Sequence, residues 1–135
     1  MKTDQTIQFV HDPSHFIRIE SIEQYDDGSG FCSDLSIQSG GFACLGRRFF
    51  FNDLMRFAKD MANLSKRLRG TATLGPDYEP DFVRFEATKL GHVIVSGDIE
   101  EHGEHQHLMK FSFETDQTYL HPFLESLEST LESLK

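Results

Sequence analysis

Val83, Phe85 and Ala87 alternate with Arg84 and Glu86, and Met109, Phe111 and Phe113 alternate with Lys110, Ser112 and Glu114. Apolar and polar residues at a period of two are the signature of a strand with one face on a core and the other in water. This constrains the chain more than any other feature, because half-buried strands of this kind belong to antiparallel sheets. The same alternation places Ile17 and Ile19 opposite Arg18 and Glu20 within 15–25, and Leu35 and Ile37 opposite Asp34 and Ser36 within 31–38. Asp26-Asp27-Gly28-Ser29-Gly30 and Gly40-Gly41 separate these strands from each other and from a third at 42–51, as hairpin connections do. In that third strand the run Phe49-Phe50-Phe51 breaks alternation, which predicts burial on both sides or a bulge near Gly46.

Two segments change period. After Asn52, a good helix N-cap followed by Asp53, residues Leu54, Phe57, Ala58, Met61, Leu64 and Leu68 recur at helical spacing, and Gly70 stands where a C-cap is expected. Near the end, Leu120, Phe123, Leu124, Leu127, Leu131 and Leu134 form one stripe, with Glu125, Glu128 and Glu132 on another; Asp116 or Thr118 can cap, and Pro122 is tolerated near the first turn. Between the helices come a short strand at 71–74, a Gly- and Pro-marked loop at 75–80, and strands at 82–88, 92–99 and 107–114. The predicted architecture is α+β: one antiparallel sheet of about six to seven strands in meander order with two amphipathic helices, ordered βββα(β)βββα. Residues 1–14, with His11-Asp12-Pro13-Ser14 as a turn signature, are read as an irregular lead-in, and 15–135 as a single domain.

Composition supports a folded chain. At 135 residues, with 38% hydrophobic residues, 13 Phe and no Trp, there is material for one Phe-rich core. No stretch approaches the roughly 18 apolar residues of a membrane span, so no membrane partner and a cytoplasmic location are expected. Cys32 and Cys44 are too few for a disulfide framework and are read as free, buried thiols.

The net charge of -9 argues against nucleic acid as a partner. Residues 47–69 hold seven of the 13 basic residues against two acids, while the rest of the chain holds 20 acids against six bases. Such asymmetry suits a self-complementary contact, and hence a homo-oligomer, or an acidic face that attracts a basic protein. Glu125, Glu128, Glu132, Asp26 and Asp27 are the candidate partner-binding residues.

The densest group of potential ligands is His102, His105 and His107, beside Glu104. A metal site needs them to converge, yet a turn leading into a strand sets His102 apart from the other two. A metal- or ligand-binding domain using this tract is the alternative reading; a solvated hairpin tip is the plainer one. No nucleophile has a recognisable base and orienting partner, and Ser39-Gly40-Gly41 lacks the spacing of a phosphate loop. No catalytic residue, resident metal or cofactor is assigned. Phe49-Phe50-Phe51 and Tyr78 would mark a partner surface if exposed, with core packing as the default.

The segment Phe111-Ser112-Phe113-Glu114-Thr115-Asp116-Gln117-Thr118-Tyr119-Leu120, followed by Pro122-Phe123 and a leucine-rich helix, resembles the WapI family of bacterial immunity proteins and related small domains. The resemblance extends over nearly the whole chain in element order, and its wording is specific around TDQTYL. It implies a non-enzymatic cytosolic protein that neutralises a toxin of a contact-dependent or secreted system. Many such toxins act on nucleic acid through basic clefts that an acidic protein could occupy. The resemblance carries over no binding residues.

Overall fold

The computed structural model describes residues 1–77, 80–101 and 103–135. Four strands, β1 (Ile7–Asp12), β2 (His15–Gln24), β3 (Phe31–Ser39) and β4 (Phe42–Phe51), precede helix α1 (Leu54–Arg67). Four more, β5 (Thr71–Leu74), β6 (Phe82–Ala87), β7 (His92–Glu101) and β8 (His107–Asp116), precede helix α2 (Leu120–Ser133). The strands form two antiparallel four-stranded sheets, ordered β1-β2-β3-β4 and β5-β6-β7-β8, and this corrects the single sheet of six to seven strands. Alternation tells each strand that it has one apolar face, and a hairpin pairs it with its neighbour in sequence. Neither decides whether the strands after α1 extend the first sheet or cover it. They cover it: apolar residues of both sheets and both helices form one continuous core.

The second correction concerns the amino terminus. Residues 7–12, expected to be irregular, are a strand in which Ile7 and Phe9 are fully buried, registered opposite Ile19 and Ile17. The alternation is short, and Val10, 41% exposed, blurs it. Asp12-Pro13-Ser14 is the turn of the β1–β2 hairpin, with the Asp12 carboxylate accepting from the Ser14 N–H at 2.8 Å.

The helix ends also differ from expectation by one or two residues. Asp53, not Asn52, is the N-cap of α1, accepting from the Arg56 N–H at 2.9 Å. Asn52 joins two loops instead, donating to the Ser29 carbonyl at 3.0 Å and accepting from the Asp77 N–H at 2.7 Å. Leu68 takes the left-handed C-cap position at φ 55°, so Gly70 is free to start the next sheet, where its carbonyl accepts from Ala87 at 3.0 Å. Asp116 caps the 3-10 turn Gln117–Tyr119 that leads into α2, and Tyr119 is the N-cap of α2 itself.

The Phe triplet keeps alternation, because Phe49 and Phe51 are buried and Phe50 lies between them on the other face. The expected bulge is present. Leu35 pairs with Arg47 and Ile37 with Cys44, leaving Leu45 and Gly46 opposite Ser36. Gly46 adopts φ 63° there, a left-handed conformation that costs glycine little, and its N–H donates to the Ser36 hydroxyl at 3.0 Å.

The two sheets and two helices meet on aromatic rings. Phe9 of β1 stands edge-on to Phe85 of β6 at 5.4 Å and to Phe123 of α2 at 5.8 Å. Phe85 and Phe123 stack at 4.9 Å, and Phe57 of α1 lies 6.2 Å from both. Each helix then covers the outer strand of one sheet: α2 packs along β1 and α1 along β5. The cover on β1 includes a hydrogen bond, since the Gln8 N–H donates to the Ser126 hydroxyl at 3.1 Å. Among the described residues, no helix packs along the other two outer strands, β4 and β8. Among the described residues, no helix is long and apolar enough to cross a membrane.

Two substitutions test this packing. Phe85→Ala should lower the free energy of unfolding by about 3–5 kcal/mol, measured by urea titration, because it removes the ring that touches both helices and the opposite sheet. Gly97→Ala should also destabilise, by about 1–3 kcal/mol. A Cβ on Gly97 would run into the Phe82 carbonyl oxygen and come within 2.7 Å of the Phe111 ring.

Candidate partner-binding surfaces

The acidic candidates begin with α2. Its inward face buries Leu120, Phe123, Leu127 and Thr130, which turns Glu125, Glu128 and Glu132 into water. Glu125 pairs with His121 at 2.7 Å and Glu132 with Lys135 at 3.2 Å. Among the described residues, Glu128 has no ion-pair partner. A shallow depression lined by Gln5, Glu128, Ser129, Glu132 and Ser133 lies on this face.

The amino-terminal segment connects this face to the β2–β3 turn. Its Met1 ammonium lies 3.8 Å from the Asp26 carboxylate and donates to the Gln24 carbonyl at 3.0 Å. Two residues on, the Thr3 hydroxyl hydrogen-bonds the Ser133 hydroxyl at 2.5 Å. Two steps of extended chain span about 7 Å, so Asp26 and the last turn of α2 flank the same short stretch. Asp27 has a different role. It accepts from the Ser29 N–H at 2.9 Å, and hydrogen bonding from Ser29 holds its pKa below the ordinary carboxylate value.

His107 opens β8 opposite Glu101, His105 is exposed in the preceding turn, and His102 lies outside the described residues. Among the described residues, no group of three His, Cys, Asp or Glu side chains is arranged to hold a metal ion. Tyr78 also lies outside the described residues. Both cysteines are free thiols, with Cys32 buried and Cys44 half-buried. Cys32 stands opposite Phe50 and Cys44 opposite Ile37, so they do not face each other across β3 and β4. Burial pushes the Cys44 thiol above its usual pKa.

Sequence reasoning missed two groupings. The first ties the β1–β2 turn to the end of β8. His15 Nδ1 lies 2.9 Å from the Asp12 carboxylate, His11 Nδ1 lies 2.9 Å from the Thr115 hydroxyl, and the His11 ring is 4.6 Å from that of Tyr119. His11 Nε2 is also 4.0 Å from Asp12, so hydroxyl, imidazole and carboxylate follow one another in the order of a hydrolase triad. Thr115 is only 2% exposed, however, which keeps its hydroxyl from a substrate and makes the chain a structural tie. Hydrogen bonding to His15 lowers the Asp12 pKa, and hydrogen bonding to Thr118 lowers that of Asp116.

The second grouping is a cleft of about 720 Å³ between β4 and β8, bordered by Phe42, Leu45, Arg47, Ile99, Leu108 and Met109. Phe42 is 77% exposed and Leu45 74%, so the exposed aromatic of β4 is Phe42 and not the Phe49–Phe51 triplet. The available sequence signal was an apolar residue next to a hairpin glycine and another beside the bulge.

Carboxylates whose folded pKa is lowered stabilise the protein above their unfolded pKa, and this contribution is lost as pH falls through the folded value. Thermal melts at pH 7 and pH 3 should therefore show an acid-induced loss that is smaller in Asp116→Asn, which keeps an acceptor for Thr118 but does not titrate. An equal loss in both proteins would count against the assignment.

The family model described as Immunity protein WapI-like family matches residues 8–135. No curated protein and no solved structure matches the chain.

Proposed function

Because the chain belongs to the immunity protein WapI-like family, we propose that it is a non-enzymatic binding protein that neutralises a cognate toxin by covering a basic surface of it. The partner surface in this reading is the acidic one built from Asp26, Glu128 and Glu132, with Glu125 at its rim and Asp27 holding the turn that presents Asp26. The observation that carries it is the short amino-terminal segment, which has Asp26 at one end and Ser133 of α2 at the other. Residues about 100 positions apart in the chain thereby flank one short segment.

The chemistry is that of charge matching. α2 contains three glutamates and no Lys or Arg from Leu120 to Ser133, and the chain's net charge is -9. A field of one sign raises the rate of encounter with a basic partner and is screened by salt. Once docked, carboxylates that meet Lys or Arg side chains lose water and fix the orientation of the complex. No chemical step is required, because a toxin whose basic cleft is filled cannot reach its substrate.

Co-expression with each toxin candidate found in the gene's neighbourhood tests the proposal. Wild-type protein should restore growth, and Glu128→Lys/Glu132→Lys should weaken toxin binding at least 100-fold, mainly through a slower on-rate whose salt dependence is flattened. Absence of protection by the wild type would overturn the immunity reading. Full protection by the charge-reversed protein would overturn the acidic surface alone.

A further inference from the structure

The covered and uncovered sheet edges are not equivalent. α2 and α1 lie along β1 and β5, while β4 and β8 pair only on their inner sides. The register shows what happens between these two open strands. Arg47 stands opposite the fully buried Leu35, Cys44 opposite the fully buried Ile37, and Phe42 opposite Ser39 on the same face, so all three point in the core direction. On β8 the inward row is Phe113, Phe111, Met109 and His107, from buried to exposed, with Met109 opposite the buried Ile99. The inner faces of the two sheets therefore continue past the end of the core and open as a mouth. Phe42 borders it from the inner face, and Leu45 at the bulge and Leu108, 49% exposed and on the outer face of β8, border it along the two strand edges. Single exposed apolar residues are ordinary, but three around one cleft mark an interaction surface.

Charge identifies what belongs there. Arg47 is half-buried, its Nε is buried with no hydrogen-bond partner, and its two terminal nitrogens donate to the backbone carbonyls of Arg48 and Glu100. Among the described residues, no carboxylate pairs with Arg47. The other two cations of the cleft are already matched, Arg48 with Asp34 at 3.7 Å and Lys110 with Asp98 at 3.3 Å, and one carboxylate, Glu101, also lines it. Open strand edges take extended chain, with alternate side chains reaching into the pocket.

We propose that the cleft between β4 and β8 is a docking site for an extended segment of another protein, whose apolar side chains cover Phe42, Leu45 and Leu108 and whose carboxylate pairs with Arg47. This surface is independent of the acidic one and opposite to it in charge preference, so either can fail without the other.

Selection of a random dodecapeptide phage library against the full chain provides the test. Enriched peptides should carry Asp or Glu between apolar residues, and an enriched peptide, synthesised and labelled, should bind at least tenfold more weakly to Phe42→Ser/Leu108→Ser, two exposed positions whose replacement leaves the melting temperature unchanged. Replacing the peptide carboxylate by its amide should cost about tenfold against the wild type and nothing against Arg47→Gln, while Glu128→Lys should bind like the wild type. The proposal is overturned by a library that yields no binder, by binders without an acidic residue, or by binding indifferent to Phe42 and Leu108.

Discussion

Four phenylalanine rings, Phe9, Phe57, Phe85 and Phe123, come from two sheets and two helices and meet in edge-on and stacked contacts between 4.9 and 6.2 Å. The rest of the architecture depends on this junction. A four-stranded meander with one apolar face does not persist alone in water, and each sheet here is the cover of the other. The rings also fix where the helices lie. Phe123 holds α2 over Phe9 at the β1 side of one sheet, and Phe57 holds α1 over Phe85 beside β5 of the other, so both helices close the same side of the sandwich.

Closing one side leaves the opposite side open, and the surface chemistry follows from that asymmetry. On the closed side, α2 has its leucine stripe inward and its glutamates outward, next to the amino-terminal segment that ends at Asp26. On the open side, the inner faces of β4 and β8 run out into solvent with apolar residues and an arginine that no carboxylate matches among the described residues. The bulge at Gly46 and the cations at Arg47 and Arg48 lie on the open edge, where they also discourage pairing with a second copy of the same strand. A net charge of -9 therefore conceals an uneven distribution, with glutamates along α2 and cations along β4.

Much of the fold was legible from residue order, and the errors have identifiable causes. Strands β2, β3, β6 and β8 announce themselves because each alternates for several residues. β1 does not, because Ile7 and Phe9 alternate only briefly before Val10 intrudes and a proline turn follows. Asn52 and Asp53 are both competent caps, and the choice between them was made by distant groups, Ser29 and Asp77, that occupy the Asn52 amide. Of the candidate site, the exposed glutamates of α2 were evident from helical periodicity. That Asp26 and the last turn of α2 flank one short amino-terminal segment was not, since this goes with a strand bridge between Lys2 and Glu23 that no local pattern encodes.

By itself, the sequence of this protein determined the type of nearly every element, the face each turns inward, the glycine-marked hairpins and the resemblance to an immunity family. These are readable because period, turn chemistry and helix capping are local, set by residues within a few positions of one another. Only the tertiary structure decided that there are two sheets instead of one, which outer strands the helices cover, and that an apolar cleft with Arg47 opens between β4 and β8. Those outcomes depend on which buried faces meet across the core. That is settled by the packing of side chains such as Phe9 and Phe85, 76 residues apart in the chain and in contact only after it has folded.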